Sequence, residues 1–360
     1  MTDTTNTTKT IGIIGGGQLG QMMAISAIYM GHNVIALDPD ATCPASHVAE
    51  MIVAPYDDAA AIAELAARSD VLTYEFENVS ADTLRPYADK IPQGLELLSI
   101  SQNRIFEKAF LTKEAGVKVA PYQVIKSPSD LDQKLDLTKK HVLKTATGGY
   151  DGHGQVVIKS NDDIAAAHAL AAEQDCVLEE FVDFLKEVSI VISGNGIDFS
   201  VFPVFENIHQ NNILSKTIMP ARISKYLAEE AEKMAVSIAK SLKLSGTLCV
   251  EMFVTANDIL VNEIAPRPHN SGHVTIEACD FSQFDLHIRG VLAEKLPKVK
   301  VLSPAVMLQV LGQDLSAARH FTQENPSAHL HLYGKIEAKH NRKMGHVTIL
   351  SDKYEDYKEF

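Results

Sequence analysis

The chain has 360 residues, 46% of them hydrophobic and 22% charged, and these values predict a globular protein of two or three domains. Its formal net charge of −13 argues against a nucleic-acid-binding or anionic-membrane surface, because such surfaces need clustered Lys and Arg. No apolar run approaches the about 20 residues that span a bilayer, and the polar start MTDTTNTTKT predicts no secretory signal. The cysteines have no C-x-x-C spacing, which predicts reduced, mostly buried thiols in a cytoplasmic protein: Cys43, Cys176, Cys249 and Cys279.

Strand and helix patterns alternate over residues 10–100. TIGIIG, NVIALD and DVLTYEF read as strands, and QLGQMMAISAIYMG and DDAAAIAELAARS as the helices between them. This order predicts a parallel, doubly wound, Rossmann-like domain. The segment NRIFEKAFLTKEAGV then predicts a connecting helix that ends at Gly116.

The loop after the first strand matches the dinucleotide-binding pattern G-x-G-x-x-G at Gly15, Gly17 and Gly20. Asp38, which ends the second strand, would bind a ribose in an NAD-dependent oxidoreductase. The pattern by itself is weak evidence, so NAD or FAD binding stays open at this point.

A second region begins near Ala120. VLKTA and QVVIK predict paired strands joined by TGGYDGHG, and CVLEEFV, EVSIVISG and DFSVFPVFEN predict further strands. The joining loop is not a Walker A loop, but its glycines would let backbone N–H groups approach phosphate oxygens, and Lys144 precedes it. An ordinary flexible hairpin is the alternative. The acidic strand end LEEFV, followed by Glu187, suits an adenine and a ribose, or is simply a solvated strand end.

After a long amphipathic helix, LAEEAEKMAVSIAKSLKL, the segment GTLCVEMFVTANDILVNEIAPR predicts a hairpin. Centring it on Asn257 places Glu251 opposite Glu263. Two carboxylates so close repel each other, and a shared Mg²⁺ ion would explain the pairing. The alternative is a pair of solvated carboxylates on an exposed face.

The segment APRPHNSGH follows directly and concentrates Arg267, His269 and His273 in nine residues. The H-x-x-x-H spacing could indicate zinc, but Pro268 and Gly272 break a helix here and no third ligand is evident. Anion and substrate contacts are therefore favoured. From about Val301 the tail predicts a short β-rich region, with HLHLYGKI and HVTIL as strands.

Seven stretches spanning residues 11–347 carry a family resemblance: IGIIGGGQLGQMM, YEFENV, GGYDGHGQ, EVSIV, NEIAPRPHNSGH, SQFDLHIR and RKMGHV. The chain resembles ATP-grasp enzymes, and closely their N5-carboxyaminoimidazole ribonucleotide synthetase family. The resemblance implies an α/β and α+β fold, with a Rossmann-like preATP-grasp domain at 1–108 and an ATP-grasp domain at 109–300. It further implies a lid subdomain at about 120–185 and a small β-rich C-terminal domain at 301–360.

The resemblance also implies the reaction. ATP phosphorylates bicarbonate to carboxyphosphate, and the amine of 5-aminoimidazole ribonucleotide is then carboxylated through released CO₂, giving ADP and phosphate. ATP and Mg²⁺ are the implied cofactors, and a cytoplasmic homodimer without nucleic-acid or membrane partners is implied. The alternatives are another ATP-grasp carboxylase or ligase with a different acceptor, such as a biotin carboxylase or a formate-using transformylase, an NAD-dependent oxidoreductase, and a non-catalytic nucleotide sensor.

The site residues that the resemblance implies fall into three groups. Nucleotide and metal contacts are Arg104, Lys144, the lid residues Gly149, Tyr150, Asp151, Gly152, His153, Gly154 and Gln155, the hinge Glu179, Glu180, Phe181 and Val182, then Glu187, His209, Asn262, and the Mg²⁺ ligands Glu251 and Glu263. Residues that meet bicarbonate or the aminoimidazole are Tyr150, Asp151, Arg267 and His269. Ribonucleotide contacts are Gln18, Leu19, Glu75, Lys335, Arg342 and Lys343.

Two departures and one reassignment accompany the resemblance. The family often has Lys or Arg at the position of His153, and the chain stops soon after RKMGHVTIL, so a shortened tail helix is expected. The first glycine loop is expected to grip the ribonucleotide, while Asp38 becomes structural and begins the turn DPDATCP.

Overall fold

The computed structural model describes residues 8–149 and 153–360. The first unit is a four-stranded parallel sheet in the order β3-β2-β1-β4. Its strands are β1 (Thr10–Ile14), β2 (Asn33–Asp38), β3 (Glu50–Val53) and β4 (Val71–Tyr74), and its helices are α1 (Gln18–Tyr29), α2 (Ala59–Arg68), α3 (Ala81–Leu84) and α4 (Leu95–Ser101). The predicted parallel domain is confirmed, with β3 as an additional edge strand.

Helix α5 (Arg104–Lys113) connects the first unit to the rest of the chain. The side chain of Asn103 caps it by accepting hydrogen bonds from the backbone N–H groups of the first turn, and Gly116 leaves the helix with a φ of 65°. The predicted boundary between residues 108 and 109 falls inside this helix, and the boundary at 300 precedes the tail strands. The division into three domains stays a prediction.

The second unit is a four-stranded antiparallel sheet in the order β5-β8-β6-β7, covered on one side by two helices. Its elements are β5 (Tyr122–Ile125), α6 (Pro128–Lys134), β6 (His141–Thr145), β7 (Gln155–Ile158), α7 (Ile164–Glu173) and β8 (Cys176–Glu180). The predicted pairing of VLKTA with QVVIK is confirmed, because Lys144 lies opposite Gln155 in the register of β6 and β7.

The third unit is one large sheet in the order β14-β13-β9-β11-β12-β15-β17-β16, with β10 paired to β9. Its elements are β9 (Lys186–Asn195), β10 (Phe199–Val201), β11 (Phe205–Gln210), β12 (Ile213–Met219), α8 (Lys225–Ser241), β13 (Ser245–Val254), β14 (Ile259–Ala265), α9 (Thr275–Ala278), α10 (Gln283–Val291), β15 (Ala305–Leu311), α11 (Leu315–Glu324), β16 (His329–Leu332) and β17 (Lys343–Leu350). The β-rich tail therefore continues this sheet, since β15 pairs with β12.

The two faces of the large sheet are covered by different helices. Helices α5 and α8 pack their apolar side chains on one face, against residues such as Val250 and Met252 of β13. The other face carries the alternate residues of the same strand, Cys249 and Glu251, and α10 packs on it next to α1. The alternation of side chains along β13 thus places a buried core on one face of the sheet and a site on the other.

Two further predictions concern the cysteines and membrane-spanning helices. The four cysteines are buried and free, as predicted: Cys43, Cys176, Cys249 and Cys279. Within the described ranges, no helix is both long enough and apolar enough to cross a membrane.

Candidate active site

A cleft of about 670 Å³ lies between the antiparallel sheet of the second unit and the hairpin of β13 and β14. Charged side chains of both signs line it, together with the backbone of the second glycine loop. Most of the residues that the sequence predicted for nucleotide and metal binding meet there: Arg104, Lys144, Gly149, His153, Gln155, Glu179, Glu180, Phe181, Val182, Glu187, His209, Glu251, Asn262 and Glu263. Arg267, His269 and Lys343 line the same cleft.

The hairpin places its two carboxylates side by side, as predicted, but by a different route. The pairs nearest the turn centre it between Ala256 and Asn257, so the predicted centre on Asn257 is wrong. Asn262 is then an extra residue on β14, and this bulge sets Glu251 opposite Glu263. Bulges re-aim side chains, and this one turns the two carboxylates toward the cleft.

Glu263 is paired with the guanidinium of Arg104, whose Nη1 lies 2.8 Å from Oε2. Burial opposes a charge on Glu263, but Arg104 and then Lys144 and Lys108 lower the pKa of its carboxyl to about 2. The carboxylate is therefore ionised at neutral pH and ready to hold a cation.

Two lysines converge on the carboxylate of Glu179. Lys108 Nζ lies 3.3 Å from Oε1, and Lys144 Nζ lies 3.1 Å from Oε2. The same lysines reach the bulge, because Lys108 donates to the carbonyl of Asn262 at 2.9 Å and Lys144 to its side-chain oxygen at 3.3 Å. This network ties the lid sheet to the hairpin, and burial lowers the pKa of Lys144.

Arg267 and His269 are held at the inner end of the cleft by acidic partners. Arg267 Nε donates to Glu77 at 2.8 Å and Nη2 donates to the other oxygen at 3.2 Å, a bidentate pair. His269 Nε2 lies 3.0 Å from Glu251 Oε1. Burial disfavours the charged ring, but neighbouring Cys249 and Glu251 raise the pKa of His269 above its ordinary value.

The predicted zinc alternative finds no support in this geometry. His273 is fully buried and stacks on the rings of Phe284 and His346, away from the Glu251 carboxylate that His269 contacts. Burial, reinforced by the charge of nearby His269, holds the pKa of His273 well below its usual range. Across residues 8–149 and 153–360, no three His, Cys, Asp or Glu side chains are placed to hold a metal.

The described ends of the second glycine loop, residues 147–149 and 153–155, border the cleft. Gly148 and Gly154 have φ of 74° and 72°, conformations that favour glycine, and Thr145 N–H closes the loop on the carbonyl of Gly154 at 2.8 Å. The predicted residues Tyr150, Asp151 and Gly152 lie outside the described residues.

The nucleotide-side residues form a strip at the end of β8 and the start of β9. Glu180 pairs with Lys139 at 2.7 Å, while the carboxyl group of Glu187 on β9 contacts the ring of His209 on β11. Phe181 and Val182 line the cleft between them. The predicted adenine and ribose residues are therefore contiguous in space.

The first glycine loop is filled by the chain itself. Glu75 accepts a hydrogen bond from the N–H of Gly20 at 3.0 Å, and its Oε1 lies 2.0 Å from where a Cβ on Gly17 would stand. Burial raises the pKa of Glu75 to about 7. A carboxylate of the protein thus occupies the helix N-terminus where a dinucleotide phosphate binds in a Rossmann enzyme.

Asp38 has a structural environment. Its carboxylate accepts from the N–H of Gly16 at 2.7 Å, the N–H of Asp40 at 2.9 Å and the hydroxyl of Tyr56 at 2.7 Å. These contacts hold the turn after β2 against the glycine loop, in agreement with the structural role expected for Asp38.

The ribonucleotide residues come from both ends of the chain. Gln18 is half-buried in the first turn of α1, whereas Leu19 packs in the core, so a ligand can meet Leu19 only through its backbone. Lys335 donates to the carbonyl of Lys343 at 2.9 Å, and burial together with neighbouring Arg342 lowers the pKa of Lys335 to about 8. The tail therefore brings three cations close together, and one of them, Lys343, lines the cleft.

Three charged residues at this site were not predicted. Glu77 orients Arg267, and Lys108 joins Glu179 to the hairpin. Glu107, whose pKa burial raises to about 7, accepts the N–H of Ile264 at 2.7 Å. Glu77 stood within the quoted stretch YEFENV, so its place in a motif was a usable signal; nothing in the local helix pattern marks Lys108 or Glu107.

Three parts of the chain match known family models. They are the ribonucleotide synthetase preATP-grasp domain over residues 8–96, the ATP-grasp domain over residues 110–284 and the phosphoribosylaminoimidazole carboxylase C-terminal domain over residues 305–359. Over 350 residues the chain is 48% identical to N5-carboxyaminoimidazole ribonucleotide synthase of Staphylococcus aureus strain COL, covering 95% of this chain and 93% of the relative. The chain belongs to the N5-carboxyaminoimidazole ribonucleotide synthase family of ATP-grasp ligases.

Solved structures of that family superpose closely on this fold. N5-carboxyaminoimidazole synthetase from S. aureus complexed with ADP is 47% identical with a TM-score of 0.91, over 97% of this chain and 94% of the other. The Aspergillus clavatus enzyme, in complex with ADP and 5-aminoimidazole ribonucleotide, is 28% identical with a TM-score of 0.89, over 97% and 95%. The predicted family and mixed α/β fold class are confirmed.

Proposed function

We propose that this chain carboxylates 5-aminoimidazole ribonucleotide with bicarbonate at the expense of ATP, through carboxyphosphate, in purine biosynthesis. The observation that carries the proposal is the pairing of Glu251 with Glu263 on the wall of a cleft that Arg104 and Lys144 also line. Phosphoryl transfer needs positioning and charge neutralisation more than covalent help from the protein, and this arrangement supplies both.

The donor set fits Mg²⁺. This ion prefers hard oxygen ligands and is commonly held by one or two carboxylates together with substrate phosphates. Glu251 and Glu263 offer two carboxylates in register, and Asn262 adds an amide oxygen on the bulge. When bound, Mg²⁺ would neutralise the charge on the transferring phosphoryl group, while Arg104 and Lys144 pair with the remaining phosphate oxygens.

The nucleotide would lie between the lid sheet and the hairpin. In this proposal the strip from Glu179 to Val182 meets the adenine, and Glu187 with His209 meets the ribose. The glycine loop at residues 147–155, which includes His153, covers the phosphates. Carboxyphosphate hydrolyses readily in water, so a loop that closes over it protects the intermediate.

The acceptor would bind on the first-unit side of the cleft. Arg267 and His269, with Tyr150 and Asp151 of the lid, meet bicarbonate or the aminoimidazole. The ribose phosphate is held by Lys335, Arg342 and Lys343, and Gln18, the backbone of Leu19 and Glu75 contact the ribonucleotide. A cytoplasmic homodimer remains part of the proposal.

Release of ADP measured with each substrate omitted in turn tests this function. Full turnover is expected only with ATP, Mg²⁺, bicarbonate and 5-aminoimidazole ribonucleotide together. Formate in place of bicarbonate, or biotin in place of the ribonucleotide with bicarbonate retained, should give no stimulation. Stimulation by either compound would instead assign a different acceptor to the same fold.

A further inference from the structure

A line of buried polar side chains runs from the large sheet to the ring of His269. Ser271 Oγ lies 2.9 Å from His269 Nδ1, and Ser189 Oγ lies 2.8 Å from Ser271 Oγ. Asn207 donates from its amide nitrogen to Ser189 Oγ at 2.8 Å. Ser189 and Ser271 are fully buried and Asn207 is 5% exposed, so water does not compete for these hydrogen bonds.

The other nitrogen of the ring has a partner of different chemistry. His269 Nε2 lies 3.0 Å from Glu251 Oε1, within hydrogen-bond distance of this carboxyl group. The backbone N–H of Ser271 also points at Nδ1, at 3.4 Å. Each ring nitrogen is therefore assigned to one side: Nδ1 to the serines and Nε2 to the cleft.

The backbone of His269 is fixed separately. The side chain of Gln283 accepts the N–H of His269 at 2.9 Å and donates to its carbonyl at 2.7 Å. With the main chain clamped in this way, rotation of the ring is the freedom that remains, and the contacts of Nδ1 are the ones that restrict it.

The sheet sets this row of side chains by its register. Glu263 on β14 lies opposite Glu251 on β13, and Glu251 lies opposite Ser189 on β9. The loop after β14 then folds back over the row and brings Ser271 and His269 onto it. Glu251, the partner of Nε2, and Ser189, which supports Ser271, are thus carried by the adjacent strands β13 and β9, while Ser271 itself lies in the loop.

We propose that Ser271, supported by Ser189 and Asn207, is a positioning residue that keeps the His269 ring turned with Nε2 toward Glu251 and the reacting groups. The consequence for turnover rests on the proposed function, because ring orientation affects the rate only if His269 meets the substrates. The orientation itself does not depend on that function.

Nuclear magnetic resonance of ¹⁵N-histidine-labelled enzyme at one fixed pH tests the orientation, with the His269 signals assigned by their loss in His269→Gln. Ser271→Ala should move the shifts of the His269 ring nitrogens away from their values in the parent. Ser189 hydrogen-bonds Ser271 and not the His269 ring, so Ser189→Ala should give a smaller shift change in the same direction, transmitted through Ser271. It also serves if Ser271→Ala fails to fold.

Ser193→Ala is the matched control. Ser193 lies on β9 four residues beyond Ser189, is fully buried, and shares an Oγ-to-Oγ hydrogen bond of 2.7 Å with Thr247. It should lose similar stability without moving the His269 signals. Unchanged His269 signals in Ser271→Ala, or an equal change in Ser193→Ala, would overturn the proposal.

Kinetics give a second, separate measure. Ser271→Ala should lower kcat about tenfold while the KM for ATP stays within about twofold, because a misdirected ring affects the reacting groups and not the nucleotide strip. Equal losses in Ser271→Ala and Ser193→Ala would reduce the serine to a structural role. If the parent itself shows no turnover with the ribonucleotide, the proposed function fails while the ring shifts still decide the orientation.

Discussion

The two glycine-rich loops of this chain differ in what lies opposite them. The loop before α1 matches the dinucleotide pattern, yet the carboxylate of Glu75 fills it, and a Cβ on Gly17 would meet that carboxylate at 2.0 Å. The loop between β6 and β7 matches no phosphate-loop pattern, yet it borders the open cleft with Lys144 and Arg104. The nearest atom to a Cβ on Gly149 would be the carbonyl oxygen of His153, at 3.1 Å, and the side chains of Thr145 and Arg104 lie further away.

The difference shows that glycines make close backbone approach possible without deciding what approaches. In the first loop the approaching group is an acid of the same chain, with a pKa that burial raises to about 7. In the second loop, we propose that the approaching group is a phosphate of the nucleotide, because the cleft that this loop borders is rich in cations. Four predictions test this contrast, beginning with the largest expected effect.

The strongest test removes a charge from the open cleft. Glu263→Gln should lower turnover by on the order of 100-fold or more and raise the Mg²⁺ concentration needed, because a charge-assisted contact at the reacting phosphate is lost. ADP release at increasing Mg²⁺ measures this, with the exposed Glu229→Gln on α8 as the control. Parental turnover of Glu263→Gln at low Mg²⁺ would contradict the ligand role.

The carboxyl group of Glu75, which fills the first glycine loop, should make the stability of the protein depend on pH. Glu75 has a pKa of about 7 in the folded chain against an ordinary 4.5, so the native state binds the extra proton and stability falls as pH rises from about 5 to 7. The loss attributable to this residue is at most about 3 kcal/mol. The pKa of Glu107 is raised in the same way, so both residues contribute to the fall of the unfolding free energy with pH.

Urea unfolding of Glu75→Gln between pH 5 and 8 isolates the share of Glu75. The variant should be flatter than the parent over this range, with the slope from Glu107 remaining. Glu263 should behave in the opposite way, since its pKa of about 2 means that its stabilisation is present above pH 4.5 and is lost toward pH 2. An unchanged slope in Glu75→Gln would show that the buried carboxyl does not titrate in this range.

Adding one methyl group to each loop should separate packing from binding. Gly17→Ala should cost about 1–3 kcal/mol of unfolding free energy, because the buried Glu75 cannot move aside freely. Gly149→Ala should cost less than about 1 kcal/mol and act mainly on the KM for ATP. Urea unfolding and ATP titration of both variants check this, and a reversed pattern would exchange the roles of the loops.

The smallest effect concerns the ribonucleotide. Gln18→Ala should raise its apparent KM roughly tenfold, from one lost polar contact of about 1–1.5 kcal/mol, with the KM for ATP barely changed. Gln21→Ala is the matched control, since Gln21 lies one turn further along α1 and its amide donates to the carbonyl of Pro44 at 2.9 Å. A change in ATP dependence with normal ribonucleotide dependence would contradict the assignment of Gln18.

The sequence could predict elements with a clear period or a specific motif. The parallel first unit, the long helix α8 and the carboxylate pair of the hairpin follow from such patterns. Strand β15, AVMLQVL, was not predicted. It is buried along nearly its whole length, so its sequence lacks the alternation of apolar and polar residues that marks a half-exposed strand. The bulge at Asn262 was missed because register depends on the partner strand, which no local pattern describes.

Buried charges were the hardest part of the site to predict. Lys108 lies in a helix where a lysine ordinarily points to solvent, yet its side chain is fully buried between Glu179 and the hairpin. Only the tertiary arrangement supplies its partners. The filling of the first glycine loop by Glu75 belongs to the same class, because the two segments are 55 residues apart in the chain.

Calorimetric titration of nucleotides tests most directly the claim that the nucleotide lies under the second loop and not in the first. ADP with Mg²⁺ should bind the parent, should bind Lys144→Ala at least about tenfold more weakly, and should bind Gln18→Ala as it binds the parent. NAD should give no detectable heat. Measurable NAD affinity in the parent, or ADP binding that survives Lys144→Ala and is lost in Gln18→Ala, would contradict the account.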